Sequence, residues 1–188
     1  MLQRWVFPLM WCGYVTYWWA MASRVKRTER TEPAASRLTR TLVTLLAFAL
    51  LVWSKFPFYL LNRRFLPQQP WAFWTGAAIT AAGLLFSVWA RRHLGKNWSQ
   101  AVTLKQDHEL ITSGPYAFVR HPIYTGLLLA ILGSAIARGE WRGLVALALI
   151  FVVLWRKLRM EEEWMRARFG QEYETYANRV RALVPFVV

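Results

Sequence analysis

Residues 71–90 carry no charged side chain. About 20 residues at 1.5 Å each is what a helix needs to cross the hydrocarbon of a bilayer. In lipid every backbone amide and carbonyl needs an internal partner, so such a block folds as a helix rather than as an open strand. Further apolar blocks occupy residues 5–22 and 41–61, and two shorter ones occupy 123–137 and 141–155. The pattern predicts an all-α, polytopic membrane bundle of about five transmembrane helices, the fourth and fifth forming a tight hairpin around Arg138-Gly139-Glu140. Lys55 and Pro57 interrupt the last turns of the second block, which predicts a kink there and a lysine that snorkels toward the interface. Gly76, Ala77, Ala81 and Gly83 in the third block favour close helix packing.

The charge pattern then orients the bundle. Formal net charge is +14, but the basic residues sit between apolar blocks, so a nucleic-acid partner is not indicated. With five spans, 18 of the 24 Lys and Arg fall on one side, in residues 23–40, 91–121 and the tail from Arg156. The loop-charge rule places those segments in the cytoplasm and the amino terminus outside. Anionic lipid heads are a second partner for the basic loops. Cys12 is the sole cysteine and the three histidines are scattered, which excludes an internal disulfide and argues against a metal centre. No cleavable signal peptide is expected, because the first apolar block is long and aromatic and no small-residue cleavage site follows it. The whole chain therefore reads as one membrane domain, with three transmembrane helices in residues 1–90 and the chemistry in 91–188.

That chemistry centres on residues 112–126, a turn-rich stretch between apolar blocks. Gly114-Pro115 marks a turn. His121-Pro122 marks a loop-to-helix boundary, since a residue before proline avoids the α region and proline suits a first helical position. Arg120, His121 and Tyr124 thus stand at the mouth of a membrane helix, a costly place for polar groups without a use. The tail brings a second polar set. If the fifth helix continues past Arg156, Lys157 and Glu161 lie one turn apart on one face, and Arg159 and Glu163 pair on another. Gly170 is a plausible end to that helix, with a short helix to follow at 172–181. Gly95-Lys96-Asn97 is too sparse for a phosphate loop, and no Ser–His–Asp or Cys–His set is legible, so a nucleotide-driven motor or a hydrolase has little support.

In order and spacing, Gly-Pro-Tyr at 114–116, Arg-His-Pro-x-Tyr-x-Gly at 120–126, Glu161-Glu162 and Phe-Gly-x-x-Tyr-x-x-Tyr at 169–176 resemble the isoprenylcysteine carboxyl methyltransferases. These belong to a wider group of membrane methyltransferases that includes phospholipid N-methyltransferases. The resemblance spans residues 95–186 and implies an S-adenosylmethionine-dependent enzyme that binds its cofactor without a Rossmann domain. By that likeness His108, Leu110 and Ile111 line the adenosine, and Tyr116, His121, Pro122, Ile123 and Tyr124 are further cofactor contacts. Glu161 matches the acid that engages the methionine ammonium. One turn earlier the family places a substrate-positioning arginine; here the position holds Lys157, with Arg156 beside it. Lys157, Arg156 and Arg120 are the candidate catalytic set. A polar position upstream of His108 is matched by either Thr103 or Lys105.

The implied reaction is direct, in-line methyl transfer to a lipophilic or prenylated acceptor entering sideways from the bilayer, along a path that the small residues of the third block, Gly126 and Gly133 would open. Two alternatives stay open on sequence alone. One is amine or thiol methylation, as in a phospholipid N-methyltransferase; the other is a lipid-binding membrane protein without catalysis.

Overall fold

A computed structural model describes residues 3–21, 28–31, 33–53, 57–95, 103–105 and 110–185. Lys55, Lys96, Asn97 and His108 lie outside the described residues. The architecture is helical: α1 (Gln3–Met21), α2 (Ala34–Val52), the short α3 (Tyr59–Asn62), α4 (Pro70–Leu94), α5 (Pro122–Arg138), α6 (Trp141–Phe169) and α7 (Gln171–Arg179). One small feature was not foreseen. The backbone of β1 (Thr28–Thr31) pairs antiparallel with that of β2 (Thr103–Lys105), tying the loop after α1 to the loop after α4 at one end of the bundle.

Among the described residues two helices, α2 and α4, are long and apolar enough to cross a membrane, while α5 is an apolar helix of 17 residues. The outward faces agree with a lipid surround: Val52 and Trp19 are exposed, and α1 buries none of its residues.

The centre of the bundle is the antiparallel pair α4–α5. Glycines recur at seven-residue spacing on both helices, Gly76 and Gly83 facing Gly133 and Gly126. A Cβ on Gly126 would lie 2.5 Å from the Gly83 carbonyl oxygen, and one on Gly133 would lie 2.5 Å from that of Gly76. Backbone touches backbone, and Thr80 adds a hydrogen bond from its hydroxyl to the Ala130 carbonyl at 3.0 Å. This corrects the expectation that these small residues open a path for substrate. They close the α4–α5 seam instead.

The second apolar block also needs correcting. Helix α2 starts at Ala34, directly after Pro33, and stops at Val52 rather than continuing to residue 61. Arg138 donates to the Leu51 carbonyl at 2.6 Å and to the Trp53 carbonyl at 3.1 Å, and Arg142 donates to the Trp53 carbonyl. Arg138 thus takes the Leu51 carbonyl that another helical turn would have used, while the Trp53 carbonyl would have faced Pro57, which has no N–H to offer. Glu140 joins both arginines, and Arg142 is fully buried. The hairpin itself forms as expected: Gly139 adopts a left-handed φ of 66° at the end of α5 and Glu140 opens α6. Helix α6 then runs unbroken for 29 residues, carrying its charged half beyond the apolar core of Ala47, Leu50, Ile131, Ala146 and Ile150.

Candidate functional site

At the end of the bundle remote from the hairpin turn, five pieces of chain converge: the last turn of α4, the 3-10 turn Gly114–Ala117, the start of α5, the charged half of α6, and α7 with the segment after it. Pro122 opens α5, and the two amides before it have no intrahelical partner. They are answered from far along the chain. The Arg120 amide donates to the Arg181 carbonyl at 2.8 Å, the His121 amide to the Ala182 carbonyl at 3.0 Å, and the Thr125 hydroxyl to the Leu183 carbonyl at 2.7 Å. Ala182 and Leu183 are buried against Leu158, with Tyr124 and Trp155 packed alongside. This strap fixes where Arg120 and His121 stand.

Helix α6 presents three consecutive acids, and a 100° step per residue sends each somewhere different. Both oxygens of Glu161 lie 2.7 Å from the Tyr124 hydroxyl, which donates its proton across the pair. Lys157 Nζ is 3.8 Å from Glu161 and sits over the Tyr124 ring, 5.3 Å from its centroid. His121 stacks flat on Tyr124, with ring centroids 5.4 Å apart and planes within 3°. Its Nδ1 lies 3.6 Å from Glu161 and its Nε2 lies 3.1 Å from Glu162.

Glu162 points inward and is 4% exposed. Arg120 grips one of its oxygens from Nε at 2.8 Å and from Nη2 at 2.7 Å, while Arg166 lies 3.4 Å from the other. Burial pushes this carboxyl up, but the hydrogen bonds and charges of His121 and Arg120 outweigh it and hold the group down at about 2. Arg120 Nη1 closes onto the carbonyls of Ala177 and Val180. All three guanidinium nitrogens of Arg120 are therefore engaged within the protein, which gives it the geometry of a positioning residue.

Glu163, the third acid, faces a groove of about 800 Å³ between α2 and α6. The groove is walled by Val43, Leu149 and Val152, and Arg40, Arg156, Lys157 and Arg159 stand at its polar end. Arg159 and Glu163 share this wall without coming within ion-pair distance, which corrects the pairing expected from their helical spacing. Arg156 is exposed there, whereas the Lys157 side chain is only 11% exposed.

Tyr116 is buried on the 3-10 turn, its carbonyl accepting from the Tyr176 hydroxyl at 2.7 Å. His93, at the end of α4, reaches the Ser113 hydroxyl at 2.9 Å and stacks on Tyr116 at 6.4 Å. Gly114, with φ of 60°, lets the turn lie directly on the His93 ring. Leu110 packs into the cluster of Tyr173, Tyr176 and Val180, and Ile111 is half-buried. Burial raises the pKa of Tyr116 and Tyr173, and holds that of Tyr176 up at about 12. Ile123 is half-buried and Pro122 buried at the head of α5. Among the described residues no group of three or more His, Cys, Asp and Glu side chains is placed to hold a metal.

Of the sequence-predicted set, the structure brings together His121, Tyr124, Lys157 and Glu161 in one corner, with Arg120 behind it. It sets Arg156 at the groove, Leu110 against α7, and Tyr116 between α4 and α7. Sequence reasoning missed Glu162 and His93. The Glu161-Glu162-Glu163 run was a signal for the first; His93 had none beyond its place at a helix end.

Residues 71–172 match the family described as Phospholipid methyltransferase, more than half of the chain and including every corner residue. The chain belongs to the phospholipid methyltransferase family. It is also 31% identical over 139 residues to "Protein-S-isoprenylcysteine O-methyltransferase" of Schizosaccharomyces pombe, covering 71% of this chain and 56% of that protein. It is 30% identical to "Protein-S-isoprenylcysteine O-methyltransferase B" of Arabidopsis thaliana, covering 65% of this chain and 64% of that protein. "Nickel-cobalt-cadmium resistance protein NccN" of Alcaligenes xylosoxydans xylosoxydans is 28% identical, covering 60% of this chain and 52% of that protein. The chain thus spans a little over half the length of the curated relatives it matches. The resemblance drawn from the motif order is borne out by the family and by the names of these relatives.

Proposed function

We propose that this chain is an integral-membrane, S-adenosylmethionine-dependent methyltransferase whose acceptor is a lipophilic carboxylate of the isoprenylcysteine type. One observation carries the reading: Lys157 faces Glu161 and Tyr124 on one side and lines the α2–α6 groove on the other. The polar corner and the apolar groove share this residue.

The corner suits the cofactor. A carboxylate offers about four acceptor positions, and a single phenol proton covers both oxygens of Glu161, whose side chain is 24% exposed. Glu161 therefore keeps acceptor capacity for an ammonium group. S-adenosylmethionine, when bound, supplies a methyl group already activated on a sulfonium. The protein's own task is to hold, align and exclude water. In this reading Tyr124 orients Glu161, while Glu162 and Arg120 set the position of His121. His108, Leu110, Ile111 and Tyr116 form the adenosine side, with Pro122 and Ile123 at the head of α5.

The groove supports an anionic acceptor. Four cations stand at its polar end against one carboxylate, Glu163, which disfavours an ammonium head group. A carboxylate acceptor is also ionised at neutral pH and needs no general base. With the Tyr116, Tyr173 and Tyr176 pKa values raised, none of these phenols supplies a base there. The open path lies between α2 and α6, since the α4–α5 seam is closed. Five spans, with the amino terminus outside and the site cytoplasmic, belong to the same proposal. In its support, the Arg91 guanidinium reaches the Met21 carbonyl at 3.0 Å, and the β1–β2 pairing joins two basic loops at the site end. Residues 91–188 would carry the catalytic half.

Calorimetry of the chain in lipid nanodiscs with S-adenosylmethionine tests the cofactor. Glu161→Gln is expected to weaken binding by about 100-fold, the loss of a charge-assisted contact from a shielded site. Unchanged affinity would remove Glu161 from the reading. Labelled-methyl transfer to a farnesyl-cysteine analogue, against phosphatidylethanolamine, then decides the acceptor; transfer to the amine alone would reverse the assignment.

A further inference from the structure

At the site end Arg159 and Arg181 stand beside two arginines that are already engaged. Arg120 is closed onto Glu162 and two carbonyls, and Arg166 lies between Glu162 and Glu174. Among the described residues no carboxylate lies within ion-pair distance of Arg159 or Arg181. Both are exposed, and both line a pocket of about 230 Å³ with Arg120, Arg166 and Glu162. The single carboxylate there is already engaged by Arg120 and His121, so the pocket carries an uncompensated positive charge.

Its floor is apolar. Trp155 and the buried Leu158 form it, and Trp155 stacks on Phe151 at 5.9 Å where the apolar half of α6 ends. The pocket therefore straddles the line between the membrane-facing and charged halves of α6, with Arg159 one turn beyond Trp155. The strap delivers Arg181 on fixed backbone: its own carbonyl and that of Ala182 are held by the amides of Arg120 and His121. We propose that this pocket binds the phosphate of an anionic phospholipid from the leaflet that meets the site end.

Charge and size agree. Guanidinium groups pair with phosphate through charge-assisted hydrogen bonds, and basic clusters at a membrane edge collect anionic lipid. The volume lies below the ~300 Å³ at which pockets for drug-sized ligands begin, so it suits a head-group phosphate rather than a whole nucleotide cofactor. The acyl chains would stay in the bilayer along the Phe151–Trp155 face. Trp155 and Arg159 also border the α2–α6 groove, so the lipid would lie next to the acceptor's path, and its binding does not depend on methyl transfer.

The test uses the full chain reconstituted in mixed phosphatidylcholine and phosphatidylglycerol vesicles, extracted in detergent, with retained lipids counted by native mass spectrometry. Phosphatidylglycerol should be retained in preference, and the double substitution Arg159→Gln with Arg181→Gln should cut that preference about tenfold, while lysine at both positions keeps part of it. The substitutions leave the strap's carbonyls in place, so thermal unfolding should be unchanged; if the double variant does not fold, Arg159→Gln alone should show the same loss at smaller amplitude. Wild-type retention by the glutamine variants overturns the proposal, as does equal retention of phosphatidylcholine by the native chain. Displacement of the lipid by inorganic phosphate alone would overturn the lipid assignment, and retention in its presence supports it.

Discussion

The two ends of the bundle each hold arginines against glutamates, yet they are finished differently. At the hairpin end, Glu140 bridges Arg138 and Arg142, whose remaining donors cap the carbonyls of α2. Arg142 is 1% exposed, and the cluster closes on itself. At the other end only half the network is closed. Glu162 is buried and gripped by Arg120, whereas Glu161, one residue away, faces an open corner with Lys157. Closed clusters lock helices together; an acid with acceptor capacity left over is where a ligand can be recognised.

The largest effect that would break this contrast is at the hairpin end. Arg142→Ala removes one of the two guanidinium groups that hold Glu140 and the Trp53 carbonyl, leaving Arg138 alone on both, and empties a fully buried site, so it should cost about 3–5 kcal/mol of stability. Thermal unfolding in nanodiscs should fall sharply while the remaining folded fraction binds S-adenosylmethionine at native affinity. A melting temperature near that of the native chain would mean the hairpin end is not a lock.

Glu162→Gln comes next and touches both properties. The carboxyl's folded-state value of about 2 lies below its ordinary 4.5, so its stabilisation is complete above 4.5 and is lost as pH falls toward 2. That difference corresponds to roughly 3 kcal/mol at neutral pH. Unfolding followed from pH 6 downward should show an acid-labile component that the glutamine variant lacks. Parallel acid profiles for the two proteins would remove Glu162 as its source.

Lys157→Arg should have the smallest effect and sharpens the open end. A planar fork grips a carboxylate in two places where an ammonium offers a point charge. KM for a farnesyl-cysteine substrate should fall by a few-fold, on the order of 1 kcal/mol, with cofactor affinity unchanged. An equal change in both would place Lys157 in the cofactor site alone.

How much of this was legible follows from where each signal resides. The hairpin, the unbroken α6 and its end at Gly170 were readable because glycine and the polarity shift mark them locally. The Lys157–Glu161 pair followed from helical spacing alone. The separate destinations of Glu161, Glu162 and Glu163 were not readable, because they depend on how α6 is rotated against α5. The end of α2 was half legible: Pro57 marked the break near it, whereas the two arginines about 90 residues onward that take the last carbonyls leave no mark near Val52. The role of Gly126 was inverted, since a small residue permits either an opening or an intimate contact until its neighbour is known. The strap was invisible, for it works through carbonyls that every residue possesses.

That strap has a consequence for how the protein is made. Arg120 leaves the ribosome some sixty residues before the carbonyl of Val180 that receives its guanidinium. Until then the head of α5 has unanswered amides and a guanidinium at the membrane surface, so the corner can take shape only after the bundle behind it has been threaded and packed. Biogenesis would thus deliver an inert set of helices first and a binding-competent protein last.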